Sequence, residues 1–269
     1  ISSSNWQMFL GNYDYLSDYE SYFRLAIEQE GLHIVLEKHI PILASGVIAD
    51  AFHPLIRLGF GLDFSVVSEQ AMGLAYWASV FDERPIPNSG RLRDWSEMLF
   101  HLQQLGVEPI SGGLITKRLD RSIENPQFVD LVTGDVFQSL SLTDLREMAL
   151  RMHWQRNNIV TLHAITALHA ARLLMVHFPK SGSVLLPHLA YGLTAMYLAE
   201  GSPDLVDFTC LSGVDWSEIK QEILGSTNDH QIKLIYSCQE EEVFYGDVRY
   251  RIIAARESGL WKESILQSA

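Results

Sequence analysis

The chain has 269 residues, 47% hydrophobic and 20% charged, so it can bury a sizeable core in one large domain or two small ones. Its formal charge of -13, without any Lys/Arg cluster, argues against nucleic acid or a membrane as a partner. Cys210 and Cys238 are too few for a disulfide framework and lack the spacing of a thiolate metal site, which fits a reducing, cytoplasmic compartment.

Helical periodicity predicts roughly ten helices joined mostly by short connections. The predicted spans are, in chain order, residues 15–30, 32–43, 47–62, 68–81, 94–105, 141–156, 158–177, 184–200, 216–224, 230–241 and 245–257. The apolar runs within 158–177 and 184–200 are interrupted by histidine or arginine, so we expect buried helices rather than membrane spans. No alternating strand series is present. The sequence therefore predicts an all-α fold, a single compact multi-helix domain over residues 1–269.

Two stretches are predicted to interrupt this helical pattern. The second helix is expected to be interrupted near Pro41 and Gly46. Residues 107–134 have weak periodicity and carry Gly112-Gly113 and Pro126, which predict an irregular connection, either a lid or a long loop. Regularity returns at Ser141-Leu-Thr-Asp144, which has the spacing of a helix capping signal.

The stretch Ala51-Phe-His-Pro-Leu-Ile-Arg-Leu-Gly-Phe-Gly-Leu-Asp63 sets a histidine and an arginine into an apolar helical run. His53 and Arg57 are four residues apart and share one helix face. Pro54 lacks an N–H, which is harmless in a first turn and places His53 at or near the helix start. Two interpretations are open. In the first, His53 caps the helix or completes a core, and Arg57 reaches solvent or a carboxylate. In the second, both residues serve a functional site.

Two later helices repeat this pattern of polar donors in apolar surroundings. His163 and Thr166 are three residues apart and face the same way. His230 and Lys233 are also three apart, and burial would disfavour the lysine's charge and make it a reactive amine, unless the side chain snorkels to solvent. Each histidine alone, including His188 in its apolar run, could equally complete a core.

The sequence lacks the common cofactor and hydrolase motifs. Gly59-Phe-Gly61 is only G-x-G at a helix end, so it is no dinucleotide-binding fingerprint. There is no G-x-x-x-x-G-K-[ST], no H-E-x-x-H and no G-x-S-x-G. NADPH could therefore act only as an external reductant, without a Rossmann site.

The ordered motifs resemble the questin oxidase-like family over about residues 13–256. They are Ala51-Phe-His-Pro-Leu-Ile-Arg-Leu-Gly-Phe-Gly, Leu162-His-Ala-Ile-Thr-Ala-Leu-His-Ala-Ala-Arg and Asp229-His-Gln-Ile-Lys. Members of that family are associated with oxidative cleavage of polycyclic aromatic ketones, formally a Baeyer–Villiger-type oxygen insertion, and with a histidine-rich iron centre rather than a flavin. The resemblance implies an oxidoreductase, a non-heme iron oxygenase that acts on an aromatic or ketone substrate.

The chain departs from the family pattern in two places. Many members have a second histidine where this chain has Arg57, and members usually carry additional N-terminal helices with another histidine. The chain begins at Ile1 without a methionine or a signal sequence. We therefore expect the family's N-terminal helices to be missing, with one ligand absent or supplied by a separate polypeptide.

We predict that His53, His163 and His230 bind one mononuclear ion, iron before other metals, because imidazole suits such metals and each histidine comes from a different helix. His188 is a possible further ligand. The competing interpretation is a non-catalytic helical binding or scaffold protein whose histidines complete a core.

The resemblance also suggests how a substrate would be held. Arg57 would stabilise an enolate or phenolate oxygen, and Thr166 would serve the same site as His163. Four aromatic residues would contact the substrate, namely Phe52, Phe60, Tyr76 and Trp77.

Lys233 is predicted to complete the centre as an anionic ligand. Neutral imidazoles leave the charge of a divalent ion uncompensated, and we expect no carboxylate at helical spacing from His53 or His163. Asp229 is expected to point to a different face from His230. A buried, deprotonated amine can react with carbon dioxide, so we predict that Lys233 is carboxylated when metal is bound.

Overall fold

Fourteen α-helices and no β-strand occur in residues 1–88, 90–92, 94–208 and 214–261, which this computed structural model describes. The helices are α1 (Leu16–Glu30), α2 (Leu32–Leu43), α3 (His53–Asp63), α4 (Val67–Ser79), α5 (Trp95–Gln104), α6 (Ile115–Ile123), α7 (Pro126–Leu131), α8 (Gly134–Gln138), α9 (Leu142–Arg156), α10 (Ile159–His177), α11 (Pro179–Ala199), α12 (Trp216–Ile223), α13 (Asp229–Tyr245) and α14 (Arg249–Glu257). The predicted all-α, compact fold is confirmed, with more helices than expected. Cys238 is a buried free thiol, and Cys210 lies outside the described residues.

Local signals explain where the long helices begin. Ser141 and Asp144 form the predicted reciprocal capping box at the start of α9. Asn158 and Asn228 accept hydrogen bonds from backbone N–H groups in the first turns of α10 and α13. Pro179 occupies the first turn of α11, where its missing N–H costs nothing, so this helix starts five residues before the predicted boundary.

Two predicted interruptions of the helical pattern are wrong. Residues 107–134 contain α6, α7 and the first residue of α8, helices of nine, six and five residues, which are too short to show a clear period. The helix α2 continues through Pro41 to Leu43. Pro41 lies in its last turn, so few residues follow the hydrogen bond that proline removes.

The helix α10 runs through the centre of the protein and packs against α3, α9, α11 and α13. Among the described residues it alone has the length and composition of a membrane span, with a mean hydropathy of 1.6. However, 83% of this stretch is buried inside the protein, as in the core helix of a soluble protein. The prediction that this apolar run is a buried helix is confirmed.

Glycines let α3 pack closely against both of its neighbours. A Cβ at Gly59 would overlap Ala170 of α10, and a Cβ at Gly73 of α4 would lie 2.7 Å from the Leu58 backbone. The Gly-Phe-Gly sequence in α3 is therefore explained in part by helix packing. The close packing also fixes the first residue of α3, His53, relative to α10.

Candidate metal centre

An unusual turn places His53 at the start of α3. Asp50, Ala51 and Phe52 have φ of 45°, 55° and 67°, so three consecutive non-glycine residues are left-handed. Pro54 lies in the first turn, as predicted. The predicted continuous helix over 47–62 is wrong, because the chain breaks at this turn and α3 begins at His53.

The other two histidines come from α10 and α13. His163 lies in the first half of α10 and is 1% exposed. His230 is the second residue of α13, directly after Asp229. The side chains of His53 and His230 are 34% and 30% exposed, so the group lies at the surface with one ring buried beneath the other two.

The three imidazole rings converge on one point. The Nε2 atoms of His53 and His163 are 3.1 Å apart. The ring centres of His230 lie 5.4 Å from His163 and 6.1 Å from His53. One ligand nitrogen of each ring lies within 4.8 Å of the other two, and no fourth His, Cys, Asp or Glu joins this group among the residues described. The fold thus brings together the three histidines that the sequence singled out.

Each ring is oriented by an oxygen at its Nδ1 atom. For His53 the oxygen is the Asp50 carbonyl at 2.5 Å, and for His163 it is the Ile159 carbonyl at 2.6 Å. For His230 it is a carboxylate oxygen of Asp229 at 3.1 Å. The two carbonyl oxygens can only accept, so Nδ1 of His53 and of His163 carries the proton, and each of these rings when neutral presents an Nε2 lone pair.

This tautomer leaves two lone pairs facing each other at 3.1 Å, between His53 and His163. Such an arrangement is repulsive unless a proton or a metal cation lies between the two nitrogens. Burial, opposed by the hydrogen bond to the Ile159 carbonyl and assisted by the neighbouring charges of His53, His230 and Lys233, lowers the pKa of His163 to about 4, so His163 itself is a poor site for that proton. A metal cation between the two nitrogens would remove the repulsion.

The donor set fits a divalent transition metal. Metal–imidazole bonds of 2.0–2.1 Å in a tetrahedral arrangement separate the nitrogens by about 3.4 Å. The 3.1 Å between His53 and His163 is close to this value, and the largest separation in the group, 4.8 Å, requires a shift of about 1.4 Å. Because the His230 side chain is 30% exposed, rotation of its ring would bring the nitrogen closer to the other two.

Two carboxylates lie beside the centre, which corrects the expectation that none would. An Asp50 carboxylate oxygen is 3.6 Å from Nδ1 of His53, and Asp229 binds Nδ1 of His230 instead of pointing to another face. Asp50 lies three residues before His53, so helical spacing already offered this carboxylate and the expectation was wrong on that point. Both anions contact the outer nitrogens, where they can compensate part of a metal's charge without ligating it.

Lys233 is bound to Asp229 and not buried. Its Nζ atom is 2.7 Å from an Asp229 carboxylate oxygen, and its side chain is 38% exposed. Hydrogen bonding to Lys233 lowers the pKa of Asp229. The premise of the predicted carbamate, an amine deprotonated by burial, is therefore not met. Carboxylation of Lys233 stays a prediction, and the contact seen is an ion pair that holds the carboxylate against His230.

Asp229→Asn is expected to lower metal affinity by about 10–100-fold, the usual effect of removing a partner that orients a ligating histidine. Competition with a chromogenic chelator measures this change. The matched control is Glu97→Gln, which alters a surface carboxylate 3.8 Å from His101 and should leave metal affinity unchanged.

Lys233→Met distinguishes an orienting ion pair at Lys233 from a carbamate ligand. An orienting ion pair predicts a loss of metal affinity of about tenfold or less, whereas a carbamate ligand predicts a loss as large as that of His230→Ala. Equal losses in the two variants would favour the carbamate.

The remaining predicted site residues lie apart from the three nitrogens. Arg57 donates to Glu69 of α4 at 2.9 Å on an exposed surface. The hydroxyl of Thr166, which is buried, donates to the carbonyls of Leu162 and His163 in its own helix, at 3.3 and 3.4 Å. His188 is partly buried in α11 and is not part of the three-histidine group.

Two of the predicted substrate contacts are excluded by burial. Phe52 and Trp77 have no exposed surface and belong to the core. Phe60 and Tyr76 keep part of their surface, and the Tyr76 hydroxyl donates to the Asp50 carboxylate. Burial and this hydrogen bond raise the pKa of Tyr76, so the group stays a neutral donor.

A second polar cluster, at the other end of the same three helices, was missed. Nδ1 of His169 lies 2.8 Å from Glu241 of α13, and its Nε2 lies 3.3 Å from Asp63 of α3. Arg172 donates to the same Glu241 oxygen at 2.6 Å, and Tyr236 donates to Asp63 at 2.6 Å. The spacing of His169 and Arg172, three residues apart in a buried helix, was the available signal.

Comparison with known proteins supports the resemblance over part of the chain. Residues 1–113 match the family model described as Questin oxidase-like. The match includes the first motif with His53 and ends before His163 and His230. No curated protein matches the chain. The family name suggests an oxidoreductase.

Proposed function

We propose that this chain, which is questin oxidase-like over residues 1–113, is a non-heme iron-dependent oxygenase whose metal is bound by His53, His163 and His230. The observation that carries the proposal is the convergence of the three rings, with one nitrogen of each within 4.8 Å of the other two. Nδ1 of His53 and of His163 is bound to a backbone carbonyl, so the Nε2 lone pairs of these two rings point to one place. A core that merely tolerated histidines would not need three ring nitrogens so close together.

The protein's own residues hold the rings and leave an approach from solvent. His163 forms the buried floor, while His53 and His230 form a rim that is about one-third exposed. When bound, iron would supply the activation of dioxygen, and three protein ligands would leave coordination positions open for small molecules. A site at the surface allows a large, flat substrate to approach without entering the core.

Arg57 and the exposed aromatic surface would hold the substrate. The guanidinium of Arg57 lies one turn beyond His53 and can exchange its exposed partner Glu69 for an anionic oxygen. Phe60 and Tyr76 are the aromatic candidates that keep exposed surface. We propose an aromatic or ketone substrate, oxidised in a Baeyer–Villiger-type or ring-cleaving reaction, with NADPH as a possible external reductant in a cytoplasmic setting.

Metal analysis tests the proposal most directly. Protein purified without chelator, or reconstituted anaerobically with ferrous iron, is expected to hold about one equivalent of iron per chain, as a single three-histidine site requires. His101→Ala, which removes a surface histidine, should retain that amount. Less than about a tenth of an equivalent after reconstitution would contradict a single high-affinity site.

Oxygen uptake distinguishes the oxygenase from a helical scaffold protein. Iron-loaded protein is expected to consume dioxygen with at least one member of an anthraquinone and aryl ketone panel, assayed with and without NADPH. His53→Ala should abolish this uptake. A scaffold instead predicts that a His53→Ala/His163→Ala variant is as stable as the wild type and that neither protein binds metal.

A further inference from the structure

The turn Asp50-Ala51-Phe52 before His53 is strained. All three residues have positive φ and none is glycine. Single non-glycine residues visit this region at a cost, and a run of three persists only where the surrounding structure imposes it. Strain of this kind, next to a candidate ligand, calls for an explanation in terms of the site.

Pro54 removes one backbone donor from the Asp50 carbonyl. In a continuous helix the carbonyl of Asp50 would accept from the N–H of the residue four positions later, which is Pro54 and has none. The left-handed turn gives this carbonyl another donor, Nδ1 of His53 at 2.5 Å. The backbone N–H of His53 donates to the same carbonyl, so the strained turn fixes this acceptor against both the backbone and the ring of His53 and sets the tautomer of the ring.

Two further contacts hold the turn. Phe52 is fully buried, and its ring fills space that only a glycine at position 192 leaves open, since a Cβ on Gly192 would lie 2.9 Å from it. The Asp50 carboxylate accepts a hydrogen bond from the hydroxyl of Tyr76 on α4. Tyr76 is the only one of these contacts that a conservative substitution can remove without disturbing the core.

We infer that Tyr76 and Asp50 are positioning residues for His53. The Tyr76–Asp50 hydrogen bond holds the left-handed turn, and the Asp50 carbonyl then holds His53 with Nε2 directed at His163. Neither residue contacts Nε2, so neither is a ligand. The inference rests on the proposed metal centre and adds to its three histidines the two residues that orient His53.

Tyr76→Phe is the test, because it keeps the ring and removes the hydroxyl. We expect metal affinity to fall by about 10–100-fold. In metal-free protein, two-bond proton–nitrogen NMR of the histidine rings should lose the single Nδ1–H tautomer of His53. Tyr19→Phe is the matched control, since it deletes a buried hydroxyl that donates to the Trp6 carbonyl at 2.6 Å, and it should change neither reading.

A second substitution distinguishes positioning from general damage. Glycine adopts positive φ without strain, so Ala51→Gly in the Tyr76→Phe background should restore both the tautomer and at least tenfold in metal affinity. Wild-type tautomer and affinity in Tyr76→Phe, or no recovery in the double variant, would overturn the inference. If the wild type binds no metal the proposed centre fails, but the NMR readings still decide whether Tyr76 positions His53.

Discussion

His163→Ala is expected to reduce metal affinity by more than about 100-fold, because loss of a ligand must exceed the 10–100-fold effect of losing a group that only orients one. His163 is the one ring of the three that is fully buried, and its Nε2 atom lies 3.1 Å from that of His53. Its removal leaves two imidazoles, each about one-third exposed, without the buried ring beneath them. Isothermal titration with ferrous iron under anaerobic conditions, or with zinc as a redox-inert probe, measures the loss.

His153→Ala is the matched control for this variant. His153 is equally buried, in the neighbouring helix α9, and its Nδ1 atom lies 2.9 Å from the hydroxyl of Thr161. Burial lowers its pKa to about 3, so it is a neutral core histidine. The substitution should lower stability but not metal affinity. Equal losses of affinity in both variants would mean that His163 acts through packing and not as a ligand.

The three candidate ligands could be singled out because each lies in an apolar helical stretch where a histidine stands out. His53, His163 and His230 are separated by more than sixty residues, and only the ordered set of motifs connected them. The predicted starts of the helices that carry His163 and His230, residues 158 and 230, lie within one residue of the observed starts. In the structure an asparagine caps each of these helices, and such a cap acts over only three residues. A helix cap depends only on residues within one turn, so it is not altered by tertiary packing.

What the sequence could not provide was the orientation of each ring. The left-handed run at Asp50-Ala51-Phe52 contains no glycine and carries no turn signature, since its cause is a set of tertiary contacts. Helical spacing also misplaced Asp229, because the residue starts α13 and its side chain can bend back to His230. Backbone irregularities imposed by packing are therefore where pattern-based reasoning failed here.

The same three helices carry two polar layers with separate roles. Along α3, α10 and α13 the histidine group lies near the N-terminal ends, and further towards the C-terminus of each helix lies a cluster made of Asp63, His169, Arg172, Tyr236 and Glu241. All three helices therefore run in the same direction. The cluster joins the three helices by hydrogen bonds and ion pairs, without any metal. The histidine group is therefore not needed to hold these helices together.

Glu241→Ala is accordingly expected to destabilise the protein by about 3–5 kcal/mol, because it leaves Arg172 and His169 in the core without their shared carboxylate. Glu241 is 2% exposed, so water cannot replace it. Urea denaturation followed by circular dichroism measures the free energy of unfolding. Glu30→Ala, which breaks an exposed pair with Lys38, should cost less than about 1 kcal/mol.

The contribution of the cluster should also depend on pH in a defined direction. Burial alone would lower the pKa of His169, but hydrogen bonds to Asp63 and Glu241 outweigh burial and raise it, while Arg172 opposes them and Tyr236 faces Asp63 as a neutral donor. A raised pKa means that the stabilisation is complete below the unfolded value of about 6.5 and is lost as pH rises through the folded value. The difference in unfolding free energy between wild type and His169→Gln should therefore shrink from pH 6 to pH 9 by urea denaturation. A difference that grows over this range would mean that His169 is neutral in the folded protein and only fills space.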